Sequence, residues 1–387
     1  MGSLYIVFIT NKFIGKWSVY IMTKSFKTIV ISVVVLALLT GCGSINDVGG
    51  ENTNQTTTQT PKSTQVGVKD EPSSDTKTNI KIDYSKVKPN ESGKIMVVMF
   101  HNFIEAYKSG DKDYTTTFDS FRNLLQTLYD KGYRLINVND YLSNNIVVPA
   151  GFVPMMFAFD DGTAGQFNLV EENGKLVANK QSAVGIMEEF NKQHPDFGLK
   201  GTFYVNLGGT PFAGKGTTAE RLKYLIDEGF EIGNHTLNHI DLKQAKTAEK
   251  VQEEVGGNQK KMEELVPGYK MKTLALPLGN TTKDESLRQY IGKGVYQGVA
   301  YENSAIMLVG AEPALPSTSS KFNPMLTPRV RATGIAPVLM DLDWYLGKTT
   351  RDSEYVSDGD PNTITVPVAK ESKIDKTRLE GKTLNTY

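Results

Sequence analysis

The stretch Phe157-Ala158-Phe159-Asp160-Asp161-Gly162 ends an apolar run on two adjacent carboxylates. Like charges at that distance repel, and burial raises the cost of ionising either one, so the pair needs a compensating partner. A second stretch, His235-Thr236-Leu237-Asn238-His239, places two imidazoles four residues apart. On a helical turn that spacing puts both rings on one face, within reach of a single ion. Two histidines and a carboxylate suit zinc with an open position for water. Each motif alone has a plainer use, since Asp-Asp caps turns and helices and paired histidines occur on surfaces. The chain has only four histidines, however, and two of them share one strand end.

Residues so far apart need a scaffold that brings them to one place. Residues 94–100 form an apolar run of strand length closed by His101, and residues 118–130 put Phe118, Phe121, Leu125 and Leu128 on one helical face behind a Thr117 cap, with Gly132 as the stop. Short strands are predicted at 134–138, 153–159, 201–207 and 230–233, and helices around 183–190 and 219–228. The polar insertion at 166–180 reads as a hairpin. Strands alternating with helices argue for a parallel sheet or barrel, where chemistry gathers at the carboxyl ends of the strands. Asp160, Asp161 and His235 all stand at such ends, and His101 closes a strand at the same end.

On these residues the chain resembles the metal-dependent polysaccharide deacetylases: Phe-Ala-Phe-Asp-Asp-Gly and His-Thr-Leu-Asn-His match that family's first two motifs. The resemblance implies a distorted (β/α) barrel of about seven parallel strands in a single catalytic domain, residues 93–387. Carried over by position, Asp161, His235 and His239 would hold a divalent metal, zinc first with cobalt or nickel as alternatives, and Asp160 would be the general base acting on metal-held water. Residues around Pro277 resemble the third motif, with the Leu278 N–H as oxyanion donor. That motif's usual arginine is replaced by Ala275, and Arg329 or Arg331 would substitute. No histidine follows His239, so the general acid falls to His101, as in the permuted poly-N-acetylglucosamine deacetylase branch. Asp341, Asp343 and Trp344 resemble an Asp-Trp motif whose tryptophan lines the site, although a packed core tryptophan fits equally. His194 reads as a loop residue. The implied reaction is hydrolysis of N-acetyl groups on cell-wall glycan or exopolysaccharide. Alternatives are an acetyl-xylan-type esterase and a catalytically silent sugar-binding protein. An iron oxygenase is disfavoured, because such sites place His-x-Asp together on strands.

The 387 residues carry 43 basic and 43 acidic side chains, which gives no electrostatic footprint for nucleic acid. The single cysteine, Cys42, excludes an internal disulfide. It follows the apolar run at 29–39, preceded by Lys24 and Lys27, an export-signal pattern too short to span a membrane. Leu39-Thr40-Gly41-Cys42 resembles the bacterial lipobox, implying cleavage before Cys42, a lipid on its sulfur and membrane anchoring outside the cytoplasm. Residues 1–41 then form a leader, with Met22 as a more natural start than Met1. Residues 42–92 form a polar tether, and the folded part is expected near Lys94.

Overall fold

The computed structural model describes residues 5–7, 20–22, 83–111 and 113–387. Cys42, the lipobox and most of the leader and tether lie outside them. Tyr5–Val7 and Tyr20–Met22 pair antiparallel. No helix among the described residues is long and apolar enough to cross a membrane.

Eight strands build one parallel sheet: β1 (Met96–Phe100), β2 (Tyr133–Leu135), β3 (Val153–Asp160), β4 (Thr202–Val205), β5 (Glu231–Asn234), β6 (Thr273–Ala275), β7 (Ala305–Met307) and β8 (Val330–Arg331). The path runs β7-β6-β5-β4-β3-β1-β8, and β2 pairs with the first residues of β3. Seven parallel strands on a curled path are the distorted barrel that the strand–helix alternation and the resemblance predict. The two ends of the path nearly meet: Leu308 N–H donates to Thr327 O and Thr327 N–H to Ile306 O, just ahead of β8.

Each strand is apolar on both faces because both are covered. Met155, Phe157 and Phe159 of β3 join Val98, Phe100, Phe203 and Val205 in the layer under the helices. Met156 and Ala158, with Ile95, Val97, Tyr204, Ala275 and Met307, fill the barrel interior. Outside pack α1 (Phe118–Asp130), α2 (Ala183–Gln193), α3 (Thr218–Asp227) and α4 (Ala248–Leu265). The Thr117 side chain accepts from Ser120 N–H at the start of α1, and Gly132 follows its end at φ +85°. The insertion is a hairpin, Leu169–Glu172 against Lys175–Ala178, turning at Asn173 and Gly174 with positive φ.

Structure begins earlier than the apolar run at Lys94 suggests. Tyr84–Val87 is helical, Asn90 bridges to Val356, and buried Glu91 accepts from Thr365 and Asp358 N–H. Polar residues carry this packing, so hydropathy gives no sign of it.

Candidate active site

Strand alternation sends Asp160, like Ala158 and Met156, into the barrel. There it is fully enclosed and meets Arg329, whose two terminal nitrogens donate to its two oxygens at 2.7 and 2.8 Å. Arg329 is itself completely buried, and its Nε donates to Leu308 O at 2.8 Å. Burial raises the Asp160 pKa, but the Arg329 guanidinium together with the imidazoles of His235 and His101 outweighs it, so the carboxyl stays below its ordinary range. Arg331, also offered by the sequence, pairs with Asp113 instead. His101, one residue beyond β1, brings Nε2 to 3.8 Å from Asp160 Oδ2. Burial pulls the His101 pKa down, opposed by Asp160.

Asp161 breaks the alternation. Its N–H still donates to Tyr204 O, but φ is +80°, and Gly162 follows at +68°. A Cβ on Gly162 would lie 2.7 Å from Pro211 Cβ, so only glycine fits. The turn aims the second carboxylate away from the first: Asp161 Oδ1 stands 3.3 Å from Nε2 of both His235 and His239. Adjacent acids coexist because the backbone sorts them, one to an arginine and the other to two imidazoles.

The histidines do not lie on a helical turn. Residues 235–240 form an open loop, with Thr236 at φ +63° and His239 at +53°, and the rings meet with centroids 5.0 Å apart. Its polar groups bond to neighbours rather than four residues back. Leu237 N–H donates to Glu254 O, Asn238 N–H and Nδ2 donate to the Glu254 carboxylate, and Asn206 Nδ2 donates to the carbonyls of His235 and Thr236. His235 Nδ1–H donates to Ala275 O at 2.8 Å, which fixes the tautomer and leaves the Nε2 lone pair for a ligand.

Asp161, His235 and His239 are the one metal-capable trio among the described residues, their donor atoms within 4.8 Å of one another. Asp161 Oδ1 is buried without a hydrogen-bond partner, the mark of an oxygen reserved for a cation. The donor set fits a divalent ion. A cleft of about 360 Å³ opens beside it, walled by Asp161, Asn206, Gly208, Thr210, Asn238 and His239.

Residues 154–296 match the family model described as Polysaccharide deacetylase. These residues form a polysaccharide deacetylase domain. No curated protein sequence matches the chain. Among solved structures, a polysaccharide deacetylase from Bacillus cereus is 18% identical, with 66% of this chain and 68% of that one covered and a TM-score of 0.48. The deacetylase PplD of Streptococcus pyogenes is 18% identical, covering 66% and 98%, with a TM-score of 0.49. IcaB of Ammonifex degensii is 19% identical, covering 63% and 94%, with a TM-score of 0.43.

The deacetylase match takes in Asp160, Asp161, His235, His239, Pro277 and Leu278, whereas His101 and Arg329 lie outside it. Ala275 ends β6 and touches the site through its carbonyl; buried Pro277 follows, and Leu278 is 64% exposed at φ +56°. Trp344 is not at this end. It lines a cavity of about 570 Å³ with Met96, Tyr133 and Val153, the first residues of β1, β2 and β3, and so lies by the strand starts against the outer face of the sheet. Asp341 caps the short helix that carries Trp344, accepting from Trp344 N–H, and exposed Asp343 donates its N–H to Thr333 Oγ1. His194 stacks between Tyr129 and Phe190.

Sequence reading missed the supports of this candidate site. Asn258 Oδ1 accepts from Leu207 N–H, and its Nδ2 donates to Val205 O and Asn234 Oδ1. The signal existed: Val251, Glu254, Val255, Asn258, Gln259 and Met262 make one unbroken helical stripe, and three of these six buried residues are polar.

Proposed function

We propose that the chain is a metal-dependent hydrolase that removes acetyl groups from an N-acetylated polysaccharide, an N-acetylglucosamine polymer of cell wall or exopolysaccharide. The observation that carries this reading is the separation of the adjacent acids: Asp160 held by Arg329 next to His101, and Asp161 turned to His235 and His239. A divalent ion on that trio, zinc by its donor set with cobalt or nickel as alternatives, would supply Lewis-acid polarisation of the acetyl carbonyl and of the attacking water. Asp160, kept ionised and oriented by Arg329, accepts the water's proton. Attack makes a tetrahedral oxyanion, for which we assign the Leu278 N–H as a donor. An amine leaves poorly until protonated, and His101 Nε2 delivers that proton, giving acetate and a free amino sugar.

The same geometry serves acetyl esters, whose leaving oxygen needs less help from His101. A silent sugar-binding protein has no use for a buried, arginine-held base beside a metal ligand. Acetate release from N-acetylglucosamine oligomers and from acetylated xylan distinguishes these readings. Release from the oligomers is expected, lost with chelator and restored by zinc, and lost in Asp160→Asn with bound metal retained; release from neither substrate by the metal-loaded protein refutes the proposal.

We further propose export and lipid anchoring at Cys42, supported by the charged start, apolar run and lipobox-like residues at 39–42. Cys42→Ser is expected to move the protein from the membrane fraction to the soluble one; unchanged partitioning counts against the anchor.

A further inference from the structure

Gln166 closes the turn that follows Asp160-Asp161 and is completely buried. Its Nε2 donates to His101 O at 2.6 Å and also to Asp160 O. Both partners are carbonyls, which only accept, so the amide orientation is settled by chemistry and both of its hydrogens are spent. Its Oε1 is buried without a partner, an arrangement that costs about 1–3 kcal/mol. An apolar side chain would avoid that cost, so packing does not explain a glutamine here.

The loop is built to deliver this side chain. A Cβ on Gly165 would lie 2.1 Å from Phe103 O, so glycine alone lets the turn press against the segment after β1. Gly165 O and Gln166 O accept from Ala183 and Val184 N–H, which locks the turn to the start of α2. Thr163 Oγ1 adds a second donor to His101 O at 3.2 Å. β1 and β3 pair in register up to Phe100 and Phe159, and the next residue of each carries the reacting group. One carboxamide therefore bridges the backbones of His101 and Asp160 just where the sheet stops holding them.

We infer that Gln166 is a positioning residue that sets the spacing of proton donor and proton acceptor, His101 Nε2 and Asp160 Oδ2, 3.8 Å apart. Its hydrogen bonds go to backbone carbonyls alone. The inference rests on the deacetylase reading given above. A displacement of about 1 Å between reacting groups is worth on the order of 100-fold in rate.

The test uses the full metal-loaded chain with Gln166→Glu, which sets a carboxylate against two carbonyls, and Gln166→Leu, which removes the donors but also the orphaned oxygen. Either variant is carried forward if it melts cooperatively and holds one metal. On N-acetylglucosamine oligomers kcat is expected to fall about 100-fold with KM and metal content unchanged. On an aryl acetate, whose leaving group needs no acid, the loss is expected to be at least tenfold smaller. Unchanged kcat, or equal losses on amide and ester, overturns the inference. If the wild type releases acetate from neither compound, the deacetylase reading itself fails. The inference is then decided by a crystal structure of the variant: a His101–Asp160 separation kept at 3.8 Å overturns it, and one widened by about 1 Å or more supports it.

Discussion

Arg329 shows what one side chain contributes when each of its three nitrogens has a partner. Its fork holds Asp160 bidentately and its Nε holds Leu308 O, so a charge with no access to water is paired with an opposite charge and bonded through every nitrogen. Removing it leaves a buried carboxylate whose pKa burial alone would push upward. Arg329→Ala is therefore expected to move the acid limb of the rate profile to higher pH, because Asp160 must now lose a proton that the arginine kept off. It should also cost about 3–5 kcal/mol of stability by urea unfolding. An unshifted acid limb in a folded variant would separate Asp160 from the rate. The four motif residues were legible because their types and spacing are unusual. The arginine was legible only as one of two. Arg329 and Arg331 stand two apart across the start of β8, a spacing that extended backbone puts on one face, so periodicity cannot choose between them. Depth decides: Val330 lies level with Val98, which sets Arg329 further inside the barrel and Arg331 nearer the rim, beside Asp113.

At the level of elements, strands and helices followed from apolar periodicity, whereas the loop carrying the histidines did not. A spacing of four reads as a helical turn, yet Thr236 and His239 take left-handed φ values that their types do not announce. Contacts from α4 hold that shape. Glu254, fully buried, accepts from Asn238 N–H and Nδ2 and is paired with Lys250. Glu254→Ala frees the residue next to His239, and by the usual cost of losing an outer support its metal affinity is expected to fall about 10–100-fold while β-sheet content stays the same. Competition with a fluorescent chelator measures this, and wild-type affinity would show that the loop holds itself.

Across the whole molecule the candidate chemistry lies at the strand ends, whereas Trp344 and its apolar cavity lie by the strand starts against the outer face of the sheet. Sequence alone could not assign the tryptophan, since a strand end and a strand start are equally good neighbours for an aromatic ring. The residues before β1 are clasped to the chain's last strands, Thr363–Val366 and Thr383–Thr386, through Glu91. Burial first, then the nearby Asp358 carboxylate, push the Glu91 pKa up to about 8, while N–H groups of Thr365 and Asp358 pull the other way. A carboxyl whose folded pKa is raised favours the folded state fully below its unfolded value near 4.5, and that contribution fades as pH rises to about 8. The urea midpoint should therefore decline between pH 5 and 8, and Glu91→Gln should flatten the decline; an equal slope in both proteins would place the titration elsewhere.

The near-closure of the sheet ahead of β8 has a consequence for how this protein comes into being on the ribosome. The three candidate metal-holding side chains are synthesised by residue 239, but Arg329, the partner of the proposed base Asp160, arrives 90 residues later, after seven of the sheet's eight strands. On the proposed mechanism, a nascent or clipped chain ending before it would keep the candidate cation site yet leave Asp160 without its arginine, so turnover would report that the final staves of the barrel have been set.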